Sequence, residues 1–72
     1  MFQLIDTFNN RVISNHRTVL TAVKAKAKHS RDVVRSNGPN SYIPKEIVEV
    51  IKGRRFPVDE IILMDAEREA DI

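Results

Sequence analysis

From Val19 to Ser36 the chain runs without a glycine or a proline, and it then meets Asn37, Gly38 and Pro39. In a protein of 72 residues that single stretch takes a quarter of the length, so whatever forms must be built around it. Ala22, Lys24, Ala25, Lys26, Ala27 and Lys28 are strong helix formers. Thr18 stands where a hydroxyl can accept from the first unpaired backbone N–H groups. Arg31 and Arg35 suit the negative end of the helix dipole. Gly38 can take the left-handed position after the last turn, and Pro39 cannot continue the ladder. The spacing predicts one long helix with Leu20, Val23, Ala27, Ser30 and Val34 as its buried stripe and Val19 at the edge.

What precedes the helix reads as sheet. Residues 2–8 alternate in the β-prone manner, Asn9 and Asn10 signal a tight turn, and residues 11–16 resume with Val12 and Ile13, which predicts a β-hairpin. After the helix, Tyr42, Ile43, Ile47, Val48, Val50 and Ile51 favour a third strand over residues 44–52. A short helix with Pro44 at its first position and Gly53 beyond its end is the alternative. "GRRFP" reads as a loop. Pro57, followed by Asp59 and Glu60, reads as the start of an acidic C-terminal helix or tail over 57–72, with a short strand at "EIILM" (60–64) as the alternative. The sum is a single small α+β domain over residues 1–72: a small antiparallel sheet, made of the hairpin and a third strand, packed on one main helix in ββαβ(α) order.

Charge is segregated along this chain. Residues 1–58 hold eleven Lys/Arg and four acids, a balance of +7; residues 59–72 hold one Arg and six acids, a balance of −5. At about 100° per residue, Lys24, Lys28, Arg31 and Arg35 share a ridge about 60° wide and about 16 Å long. Like charges three and four residues apart repel by a few tenths of a kcal/mol per pair, so local stability does not explain the arrangement. Lys26 falls on the opposite flank of the apolar stripe. Such a ridge is either a solvated face or a surface for a polyanion; Arg11, His16, Arg17, Arg54 and Arg55 are candidates to widen it. The aromatics are Phe2, Phe8, Tyr42 and Phe56, too few to suggest base stacking on single strands, so duplex phosphate contact is the better expectation.

Catalytic patterns fail on spacing. His29, Ser30 and Asp32 are close in sequence, but helix neighbours diverge by about 100°, so His29 cannot serve Ser30. His16 and His29 are the chain's histidines, and no ligand spacing joins them to the acids. "DAEREAD" lacks the glycine turn of a calcium loop. Gly38 and Gly53 are isolated and make no phosphate loop. The chain therefore reads as a non-enzymatic binding module with no cofactor and no metal, meeting nucleic acid through Lys24, Lys28, Arg31 and Arg35. The alternative is a small protein-interaction or inhibitor protein, homodimeric or bound to an acidic protein partner, using a sheet edge or the Glu60–Met64 region. The chain has no cysteine, no apolar run near the roughly 18 residues that cross a bilayer and no basic leader, and so reads as cytoplasmic with no membrane partner. In element order alone, the hairpin followed by a helix opening "RTVLTAVKAKA" resembles small sheet-based DNA-binding modules such as the arm-binding domains of phage integrases. The resemblance carries no diagnostic residue and transfers no site.

Overall fold

The computed structural model describes residues 1–41 and 43–70. Tyr42, counted above toward the third strand, and Asp71 and Ile72 at the acidic end lie outside the described residues. The order is β1 (Phe2–Asp6), β2 (Arg11–His16), α1 (Val19–Asn37), β3 (Lys45–Ile51), β4 (Arg54–Pro57) and α2 (Glu60–Glu69). The four strands form one antiparallel sheet in the order β2-β1-β3-β4. The small α+β architecture expected from the sequence is thus present, with the 44–52 run as a strand and the 60–64 run as a helix.

Local chemistry accounts for most boundaries. Asp6 is buried and ends β1 by accepting the backbone N–H groups of Phe8 and Asn9, at 2.9 and 3.1 Å, and the Asn9 side-chain amide at 3.0 Å. These bonds, the Asn9 amide first, hold its carboxyl below the usual aspartate value. Asn10 then takes a positive φ of 53°, the left-handed conformation that asparagine tolerates. Thr7 N–H donates to Pro44 O at 3.0 Å, tying the hairpin to the start of β3. Thr18 caps α1, its Oγ1 accepting from Thr21 N–H at 3.2 Å, and Gly38, at φ 102°, closes the helix by donating to Val34 O.

Two expectations about the C-terminal third are corrected. The segment "GRRFP" is not a loop: its last four residues form β4, paired antiparallel with β3. The cause is a two-residue turn in which Lys52 and Gly53 both hold positive φ, 51° and 78°, matching the twist of a hairpin. Pro57 ends that strand and does not start α2; Asp59 caps α2, its Oδ1 accepting from Ile61 N–H at 2.8 Å.

The core is small. Leu4, fully buried, faces Ile47 on the neighbouring strand, and with Ala22, Val23 and Ala66 they form the central cluster. A bulge opposite Leu4 turns Ile13 toward the same side. α1 packs across β1, β2 and β3, and α2 packs against α1; among the described residues neither helix reaches β4. On the helix-free face, Ile5 and Val48 are also buried. Arg55 Nη1 on β4 donates to Asn10 Oδ1 in the turn beyond β1, at 3.2 Å.

The buried side of α1 is rotated from the expected stripe. Ala22 and Val23 are buried while Val34 is 40% exposed. The sheet lies under one flank of α1 and the shorter α2 against another, so the apolar residues along α1 do not share a single neighbour.

Candidate nucleic-acid interface

Lys24, Lys28, Arg31 and Arg35 are all exposed, on the side of α1 turned away from the buried Ala22 and Val23. The helix is continuous from Val19 to Asn37, so the four positions keep the register assigned from sequence. Among the described residues no carboxylate lies in ion-pair range of any of the four. Asp32 stands one turn from Lys28, about 40° away around the axis, closer than its separation from Arg31 suggested. It is exposed and flanks the ridge without neutralising it through a contact.

The other cations are placed elsewhere. Arg11 is on β2 opposite Asp6, and Arg54 and Arg55 are on β4, which α1 does not touch. They do not widen the ridge. Arg17 is exposed just before the Thr18 cap. His16 is half-buried and shares a 2.7 Å hydrogen bond with Ser14 Oγ. Lys26 is half-buried, on the side of α1 that carries Ala22 and Val23.

Among the described residues the acidic segment leaves Lys24, Lys28, Arg31 and Arg35 exposed. α2 packs along the flank of α1, where Glu67 shares a groove with Val23, Lys26, Ala27, Ser30 and Arg31. The exposed acids Glu60, Asp65 and Glu69 point into solvent from α2.

One polar link was not legible in the sequence. Lys45, at the start of β3, donates from Nζ to Ser30 Oγ at 3.1 Å and to Ile43 O at 2.9 Å, and Ser30 Oγ donates in turn to Lys26 O at 3.0 Å. Burial, then the nearby Lys26 charge, lowers the Lys45 pKa, with Asp6 acting the other way. Ser30, read above as part of the apolar stripe, is the anchor that joins α1 to the sheet at this end. Its hydroxyl is committed to that structural link and not aimed at His29.

Among the described residues no group of three or more His, Asp or Glu side chains is placed to hold a metal ion. No described helix is long and apolar enough to cross a membrane. No protein-family model matches the chain, and no curated protein or solved structure matches it.

Proposed function

We propose that this protein is a non-enzymatic binding module that engages duplex nucleic acid through the phosphate backbone, using Lys24, Lys28, Arg31 and Arg35. The observation that carries the reading is the exposure of all four on one face, opposite the core and clear of ion pairs among the described residues. A ridge about 16 Å long matches about five rises of 3.4 Å along one strand of a duplex. Phosphate contacts position a protein without specifying sequence, so the expected binding is weakly selective.

A salt titration tests it. Each phosphate contact contributes about 0.9 to the logarithmic salt slope on duplex DNA, so four give about −3.6, a loss of about 150-fold between 50 and 200 mM salt. Replacing Lys28 and Arg31 with Gln should reduce the slope by about 1.8 for every sequence tried. Lys52→Gln is the control, since Lys52 is exposed on the β3–β4 turn, whereas Lys26 is half-buried. Equal losses in the control and the double variant would show diffuse attraction and remove the ridge from the account.

A second reading, a small protein-interaction module, is favoured by one observation. Ile61, Ile62 and Met64 on α2 are 69%, 51% and 52% exposed, an unusual concentration of large apolar side chains on a ten-residue helix.

A further inference from the structure

Among the described residues the flank of α1 that Val34 occupies is only partly covered, Val34 being 40% exposed. α2 is ten residues, about 15 Å, whereas α1 is nineteen, about 28 Å, so α2 cannot shield the whole length of its neighbour. What remains is a groove of two adjoining hollows, about 350 and 480 Å³, which share Ser30 and Arg31. Val23, Ala27 and Val34 supply its apolar surface, and Lys26, Arg31 and Arg35 its basic groups. The carboxylate that also lines it is Glu67.

α2 has the complementary properties. Ile61, Asp65, Glu69 and Ile62, all exposed, fall within about 100° of one another around its axis, and residues 59–70 carry five acids against one Arg, a balance of −4. Val23 to Val34 spans about 16 Å of helix, and α2 is about 15 Å long. The protein also exposes 5422 Å², whereas a compact monomer of 8.3 kDa exposes about 4,600 Å². The surplus of about 800 Å² goes with an elongated shape, 37 × 28 × 17 Å, which leaves ample surface for a contact.

We infer that two copies of this chain associate about a two-fold axis, α2 of each lying in the α1 groove of the other. Such a pair is self-complementary, since the groove and its occupant are both present on every copy. The sheet edges are poor rivals. β4 is four residues long, carries Arg54 and Arg55 and ends on Pro57, and β2 is bulged, all features that discourage edge pairing. The association takes Arg31 and Arg35 from the proposed phosphate ridge and leaves Lys24 and Lys28 outside the contact, so self-association and nucleic-acid binding compete for half of that ridge; sedimentation without nucleic acid reads the first by itself.

Sedimentation of the full chain at about 50 μM in low salt should give twice the 8.3 kDa mass. Arg31→Glu with Arg35→Glu in one variant, and Asp65→Lys with Glu69→Lys in another, should each weaken self-association by about tenfold or more. All four positions are exposed, so the fold should survive, as circular dichroism would verify. Mixing the two variants joins the reversed groove to the reversed α2 at one contact and leaves the wild-type pairing at the other, and should restore a dimer. Ile61→Ser with Ile62→Ser should give a monomer that mixing does not rescue. A monomeric wild type, a dimer indifferent to both charge reversals, or charge variants that fail to pair on mixing would each overturn the inference.

Discussion

The turn between β3 and β4 makes a prediction with two signs. Lys52 sits at φ 51° and Gly53 at φ 78°, both in the left-handed region. An L-residue with a Cβ pays roughly 1–2 kcal/mol to stay there, and asparagine less, because its short side chain bonds locally. Lys52→Asn should therefore stabilise the protein by about 0.5–1 kcal/mol. For a domain of this size each kcal/mol moves Tm by about 4–8 °C, so a rise of roughly 2–8 °C is expected. Gly53→Ala should do the reverse. A Cβ at Gly53 would meet nothing within 4 Å, so collision plays no part and backbone strain decides. Strain of about 1–2 kcal/mol, less about 0.4–1 kcal/mol recovered from the stiffer unfolded chain, leaves a net loss near 1 kcal/mol. Urea denaturation measures both, with the midpoint shifting and the slope unchanged. Because β4 pairs with β3 and neither helix contacts it, hydrogen exchange should locate the Gly53→Ala loss first at residues 54–57. A neutral Gly53→Ala, or a Lys52→Asn that lowers the midpoint, would refute the turn assignment and the claim that it organises β4.

Two further outcomes bear on the core and the hairpin. Leu4→Ala removes a fully buried side chain from the centre of the sheet and should cost about 2–5 kcal/mol, a large part of the roughly 4–11 kcal/mol that a 72-residue domain has; denaturant midpoints would show it, and a loss under about 1 kcal/mol would mean that the site collapses or was never packed. The Asp6 carboxyl is held below its unfolded value of 3.8, so its stabilisation is fully present above that pH and is lost as pH falls through the lower folded value. Asp6→Asn should flatten stability below about pH 4, and identical acid profiles for variant and wild type would remove Asp6 from the acid transition.

The elements legible in the sequence were those whose ends carry their own chemistry. Thr18 and Gly38 bound α1 through hydrogen bonds made within a few residues, and the Asn9–Asn10 turn is set by Asp6 just upstream. The run at 44–52 was ambiguous because a buried central strand and a short helix present the same apolar content; its pairing with β1 decides it, and pairing is non-local. β4 was missed because its hairpin uses Lys-Gly where Asn-Gly is the usual signal, and because "RRFP" has little strand propensity of its own. The Lys45–Ser30 link joins residues fifteen apart, and no local pattern announces it.

The ridge survived an error in the stripe on the same helix, and the geometry explains why. Counting apolar residues centres the stripe on Val23, Ala27 and Val34, about 90° from the centre of Lys24, Lys28, Arg31 and Arg35. The side chains that are in fact covered, with Ala22 and Val23 at their heart, centre about 160° from it. Either choice leaves four cations facing outward, so their exposure did not depend on which neighbour the helix found. The difference between the two stripes is itself informative. It is the strip around Val34, apolar enough to be counted as core and yet 40% exposed among the described residues. The proposed occupant of that strip is α2 of a second copy, which matches it in length, exposes its own isoleucines and carries the opposite charge.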